Sequence, residues 1–289
     1  MIRFLNTFLK NSLPFFCLTI FISPTAVAQK TNGTVSSLIR MEAYFNQLVE
    51  KEGINQAFID VAGRRGVVFR PNALNIIDFY SKQKPINAKL SWKPELAMIS
   101  KSGYFGFTTG LYTFEDSLKT QYGHYISVWK AGKNKKWKLE LDAGIGHPKP
   151  GATILPQFVD PVNYEYSKLL GPKKIKMRED IVYTTDFLFG KSLKETGNKH
   201  FKEFYAPDVR LYFPGEQPIL GLKNAVAFID NKNQHVISYP TFTDRAISGD
   251  IAYTNGKASI GALKYNYVRI WRIGDDMKWY VIVDMYMKE

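Results

Sequence analysis

Ser102-Gly103-Tyr104-Phe105-Gly106-Phe107-Thr108-Thr109-Gly110 returns without a gap as Ser248-Gly249-Asp250-Ile251-Ala252-Tyr253-Thr254-Asn255-Gly256. The offset is 146 residues, and the same register sets Pro94 on Pro240. Further on, Trp129, Gly132, Trp137 and Asp142 return as Trp271, Gly274, Trp279 and Asp284, with identical internal spacings and an offset of 142. Two matched blocks in the same order mark an internal duplication, which decides the fold before any single element is assigned.

Between the copies, Gly144-Ile145-Gly146-His147-Pro148-Lys149-Pro150-Gly151 opens a passage with further prolines at 156, 161 and 172. Prolines at this density deny the chain a regular ladder or a long helix. We therefore divide the sequence into a first domain over 29–143, a Pro/Gly/Lys-rich connector over 144–177 and a second domain over 178–289, preceded by a leader over 1–28.

Within the first copy, Leu38, Met41, Phe45, Leu48 and Val49 recur at helical spacing, with Ser36 or Ser37 as N-cap and Gly53 as stop. A second short helix is expected from 54 to 62, a strand at 67–69 and a third helix from 74 to 80. Strands then follow one another at 96–101, 105–114, 122–130 and 137–141. The second copy repeats the order, with helices at 179–189, 198–205 and 222–229, a strand at 209–213, and strands onward to 283. Helices followed by consecutive strands define an α+β domain with its helices on one face of a mostly antiparallel sheet. Gly132-Lys133-Asn134 and Gly274-Asp275-Asp276 sit where a hairpin turns, so the flanking tryptophans are expected to meet across adjacent strands.

Ser-Gly-Asp-Ile-Ala-Tyr-Thr-Asn-Gly at 248–256, followed by the Trp271-x-x-Gly274 hairpin and Trp279-x-x-x-x-Asp284, resembles the nuclear transport factor 2-like superfamily, and within it the SnoaL-like branch rich in exported bacterial domains of unknown function. The resemblance covers nearly all of the chain after residue 28, twice. It implies two tandem cones, each a curved sheet wrapped over about three helices with a pocket at the wide end. It further implies that a small apolar or polar molecule binds there, since some members are binding proteins and a few are isomerases, dehydratases or cyclases with an acid/base Asp, Tyr or His. A fold sets an expectation of a pocket and leaves the reaction open. The first copy departs from the pattern, with Tyr104 at the position of Asp250.

The leader begins with Arg3 and Lys10, continues through an apolar stretch from 13 to 22 and ends in Ser23-Pro24-Thr25-Ala26-Val27-Ala28, the order of a secretory signal cleaved after Ala28. A lipoprotein signal would need its cysteine after small residues, whereas Phe16 precedes Cys17. No later segment approaches the roughly 20 apolar residues of a membrane-spanning helix. Export to the periplasm or medium, with no membrane association after cleavage, is the expectation. Cys17 is the single cysteine, so thiolate chemistry and disulfides leave with the leader. Removing Arg3 and Lys10 takes the basic count from 39 to 37 against 26 acidic residues, a formal charge of +11. Runs such as Lys133, Lys135, Lys136 and Lys138 read as solvated loops, and with no nucleic-acid-binding motif present no nucleic-acid partner is expected.

The candidate chemistry is sparse. Asp142 and Asp284 stand five residues after a tryptophan near the end of the last strand, where a buried carboxylate becomes a usable base. Strict alternation puts each on the face opposite its tryptophan, which favours a structural role. His124 lies on the preceding strand, close in topology to Asp142, as a proton-transfer pair or a hydrogen-bonded strand histidine. Tyr104, Tyr112, Tyr125, Trp129, Tyr253, Tyr267 and Trp271 are the candidate pocket walls. No histidines fall at ligand spacing, so neither metal nor cofactor is expected. Three readings follow: a small-molecule-binding protein whose two cones pack as an internal pseudo-dimer, an acid/base enzyme of isomerase, lyase or hydrolase type, and a non-catalytic interaction module.

Overall fold

The structure, a computed structural model, describes residues 29–166, 168, 171–231 and 235–289. The expected leader, Cys17 included, lies outside the described residues. The first half comprises α1 (Val35–Glu52), α2 (Ile54–Val61), β1 (Ala62–Phe69), β2 (Ala73–Asn75), α3 (Ile76–Lys82), β3 (Lys89–Ile99), β4 (Phe105–Glu115), β5 (Thr120–Ala131) and β6 (Trp137–His147), with β7 (Gln157–Val159) in the connector. The second half comprises α4 (Pro172–Thr196), a single 3-10 turn, α5 (Phe201–Phe204), β8 (Tyr205–Tyr212), β9 (Ile219–Leu220), α6 (Leu222–Asn231), β10 (Val236–Arg245), β11 (Ile251–Ile260), β12 (Leu263–Ile273) and β13 (Trp279–Lys288).

Each half folds its strands into one sheet, ordered β2-β1-β6-β5-β4-β3-β7 in the first and β10-β11-β12-β13-β8-β9 in the second. The meanders are antiparallel, and β1 joins β6, as β8 joins β13, in parallel. This is the α+β fold expected from the duplication, a curved sheet over helices formed twice.

Sheet curvature traces to bulges that recur at both repeat offsets. Pro94 pairs with Gly110 and Leu96 with Thr109, leaving Glu95 as an extra residue. Pro240 pairs with Gly256 and Phe242 with Asn255, leaving Thr241. Glycine is required opposite each bulge: a Cβ on Gly110 would lie 2.0 Å from the Lys93 carbonyl oxygen, and one on Gly256 2.1 Å from that of Tyr239. A second bulge falls in the last strand of each meander, at Glu140, where Val128 pairs with Leu141 but Trp129 with Leu139, and likewise at Ile282. An inserted residue bends the strand and reverses the face of every side chain beyond it.

Three apolar clusters result. Helices and concave sheet face bury one in each cone, around Phe45, Phe58 and Trp129 in the first and Phe189, Tyr267 and Trp271 in the second. The third lies between the convex faces of the two sheets, where Phe107, Ile126 and Val128 meet Tyr253, Val268 and Met285. The turns of the founding repeat also touch there: Asp250 accepts from the Lys101 amide at 2.8 Å, and Ser248 from the Ser102 amide at 3.2 Å. The hairpin tryptophans do not pair directly. Trp137 faces Ala131 and Trp129 faces Leu139, because the five residues 132–136 form the loop.

Candidate functional site

The interior of the first cone holds an open cavity of about 370 Å³. Its apolar wall comes from the helices (Phe45, Ile54, Phe58, Tyr80) and from the strands and the loop before β3 (Ile86, Leu90, Trp92, Phe114), and its polar groups are Arg70, Tyr112, Gln121, Ser127 and Asp142. Asp142 reaches this interior because the Glu140 bulge turns it back to the face of Trp137. Strict alternation, which set it on the outer face, is thereby corrected. It accepts from Ser127 at 3.2 Å, directly across the β5–β6 ladder, and pairs with Arg70 at 3.3 Å. Arg70 follows β1 and also donates to the Tyr80 hydroxyl at 3.1 Å. Burial raises the Asp142 pKa, and Arg70 and Ser127 oppose the shift.

Behind the cavity, α1 supplies Glu42, wholly buried. Trp129 and Trp92 donate their indole N–H groups to its two oxygens at 2.7 and 2.6 Å, and Thr108 donates as well. Desolvation pushes the Glu42 carboxyl up to about 7, against the pull of those three donors. Tyr125 lines the cavity beside this cluster; its buried hydroxyl has no hydrogen-bond partner among the described residues, and burial holds its pKa well above the ordinary phenol value. Glu42 carried no motif, and only its place on the buried stripe of α1 could have revealed it.

The second cone repeats the positions and changes the chemistry. Applying the offset of 142, Ser127 becomes Arg269, Tyr125 becomes Tyr267 and Asp142 becomes Asp284, while α4 brings Asp186 where α1 brings Glu42. Arg269 is completely buried and ion-paired with both Asp186 and Asp284, the latter at 3.1 Å. It also donates to Tyr286 at 3.0 Å and lies over the Tyr267 ring, 4.1 Å from its centroid. Tyr205 donates to Asp284 and Tyr267 to Asp186, closing the network. Burial alone would discourage the Arg269 charge, and the two carboxylates outweigh it, so its pKa rises well above the usual value. The space remaining beside Leu211, Phe213 and Tyr286 is about 10 Å³, room for a single water at most. Where the parallel-strand registers place Arg70 in the first cone, the second has Phe213, packed among Phe228, Tyr265 and Tyr286.

Of the expected site residues, Asp142, Tyr112 and Tyr125 therefore meet at one cavity. Trp129 lies behind it, bound to Glu42, and Tyr104 packs at the edge of the first core without lining it. Tyr253 is in the inter-sheet cluster, stacked on Phe105. Tyr267, Trp271 and Asp284 belong to the filled interior, where Trp271 donates to Thr254 at 2.8 Å.

His124 does not pair with Asp142. It is on the convex face, buried under the connector and against Tyr212 of the second half. Its Nε2 meets Glu95 at 2.9 Å and its Nδ1 meets His147 Nε2 at 2.7 Å, while His147 Nδ1 donates to the Pro148 carbonyl at 2.7 Å. Since Pro148 can only accept, it fixes the His147 tautomer, and both ring nitrogens of His124 are engaged. Such a histidine has no lone pair left for a substrate. Among the described residues, no three His, Cys, Asp or Glu side chains gather as a metal site, and no helix is long and apolar enough to cross a membrane.

No family model matches the sequence, and no curated protein does. Solved structures similar to parts of it include NTF2-like proteins. Nuclear transport factor 2 from Cryptosporidium parvum is 17% identical and aligns over 43% of this chain and 100% of its own, with a TM-score of 0.33. An NTF2-like protein from Cytophaga hutchinsonii is 14% identical over 39% of this chain and 98% of its own (TM-score 0.32). An NTF-2 like protein of unknown function from Shewanella oneidensis is 13% identical over 38% and 97% (TM-score 0.33).

Proposed function

We propose that the protein is an exported binding protein for a small, mainly apolar molecule, which occupies the first cone, with the second cone serving as a closed partner packed against it. The observation that carries this reading is the contrast between two interiors of common descent. One is open and lined with aromatic rings; the other is filled by Arg269 and its two carboxylates. A largely apolar cavity with a few converging polar groups is the usual form of a small-molecule site. The charges of Arg70 and Asp142 cancel, so the site favours a neutral ligand whose polar end exchanges hydrogen bonds with Arg70, Ser127 or Asp142. Export rests on the order of charged, apolar and small residues in 1–28, and N-terminal sequencing of the protein from cell fractions tests it: a mature chain starting at Gln29 supports export, and a cytoplasmic chain retaining Met1 opposes it.

A metabolite screen by thermal shift tests the binding reading, because a ligand that binds only the folded state raises the unfolding temperature. Ser127→Arg rebuilds the first interior in the image of the second and is expected to abolish any shift while the protein stays folded. A ligand that stabilises Ser127→Arg as well as the parent does not occupy this cavity.

The acid/base reading is favoured by one feature, the raised pKa of Asp142 on the cavity floor. It requires turnover of a bound compound that Asp142→Asn removes while binding persists.

A further inference from the structure

We propose that two copies of the chain associate through the solvent face of α4, the helices crossing antiparallel about a two-fold axis near Thr185. The buried stripe of α4 is Val182, Asp186, Phe189, Gly190 and Leu193. Its opposite face carries Met177, Ile181, Tyr183, Phe187 and Leu188, between 39% and 58% exposed. The first cone shows what an ordinary solvent face looks like here, since α1 exposes Ser36, Arg40, Ala43 and Gln47.

Tyr183 donates to the Pro240 carbonyl at 3.1 Å, which seats α4 along β10, the strand that ends its sheet. Five half-exposed helix side chains of roughly 200 Å² each present on the order of 500 Å² of apolar surface. That matches the roughly 300–600 Å² of the largest, often functional, patch on a typical monomer, and the charged residues of the same face make up the rest of the ~800 Å² that each partner buries in a standard interface.

The sequence of α4 is also complementary to itself when reversed. An isologous interface requires that residue i meet residue j and j meet i. An axis near Thr185 satisfies this three times, setting Asp180 against Lys191 of the partner subunit, Ile181 against Leu188 of the partner subunit and Tyr183 against Phe187 of the partner subunit. Among the described residues, Asp180 and Lys191 form exposed pairs, with Lys176 at 2.8 Å and Glu195 at 3.8 Å, which exchange at little cost.

Sedimentation velocity over the micromolar range tests the proposal, with far-UV circular dichroism as the control for folding. The parent chain is expected to sediment as a dimer, and Ile181→Glu with Leu188→Glu as a folded monomer. Asp180→Lys is expected to weaken association about tenfold by opposing like charges, and Asp180→Lys with Lys191→Asp to recover most of that loss. A parent chain that stays monomeric at hundreds of micromolar overturns the proposal, as does a dimer that survives both glutamates. An Asp180→Lys defect that the reciprocal change leaves uncorrected overturns the antiparallel register.

Discussion

Arg269→Met is the perturbation that bears most directly on why the second cone is closed. Arg269, Asp186 and Asp284 have no solvent-exposed side-chain surface. Methionine fills much of the volume but leaves two carboxylates buried without a cation. Removing one partner of a buried ion pair costs about 3–5 kcal/mol, most of it the penalty on the charge left behind. The loss should depend on pH with a definite sign. Without the arginine, the folded-state pKa of Asp284, already raised by burial, rises further above its unfolded value, so the folded variant takes up a proton and regains stability as pH falls. Urea unfolding followed by tryptophan fluorescence, at pH 7.5 and again near pH 4.5, is the assay. The expected result is a deficit of about 3–5 kcal/mol at neutral pH that shrinks in acid, with partial rescue at neutral pH when Asp186→Asn and Asp284→Asn are added. A deficit under about 1 kcal/mol, or one that does not change with pH, would refute the reasoning, because a buried arginine that stabilises nothing cannot be what closes the cone.

Other outcomes follow from the same structure. Glu42, raised from 4.5 to about 7, is protonated in the folded protein at pH values where the unfolded chain has lost the proton. Its contribution is therefore full below about 4.5 and falls by about 3 kcal/mol as pH rises to 7. The difference in urea midpoint between the parent and Glu42→Gln should change across that window, and a constant difference would remove Glu42 as the cause. Gly110→Ala and Gly256→Ala each force a Cβ onto a backbone carbonyl and are expected to cost about 2 kcal/mol or more. Gly151→Ala, with nothing within 4 Å of its Cβ, should stay within about 0.5 kcal/mol. Equal effects at all three positions would detach the bulges from the curvature.

The duplication was legible because it is written in residues whose roles are geometric. Pro94 and Gly110, like Pro240 and Gly256, face each other where the sheet bends, and a glycine forced by close backbone approach keeps its place in both copies. The position of Asp142 was not legible. Counting from Trp137 by twos puts it on the outer face beside His124, and the extra residue at Glu140 parts them. A bulge leaves no composition signal, so the pairing of His124 with Asp142 fails for a reason that only the register reveals. The difference between the interiors was present in the sequence as Ser127 against Arg269, but its meaning depended on knowing that both point inward. The partners Glu95 and His147 were hidden for another reason: β6 runs on to His147, well past the expected strand end at 141, and carries that ring under the connector.

The claim that one interior is open and its twin closed meets its most direct test in a fragment screen read by methyl NMR with assigned isoleucine, leucine and valine resonances. Ile54, Ile86 and Leu90 line the first cavity, while Leu211, Ile229, Val236 and Ile260 surround the residual space in the second. Small aromatic fragments are expected to move the first set and leave the second unchanged. Fragments that move the second set, or a library of them that never moves the first, would contradict it.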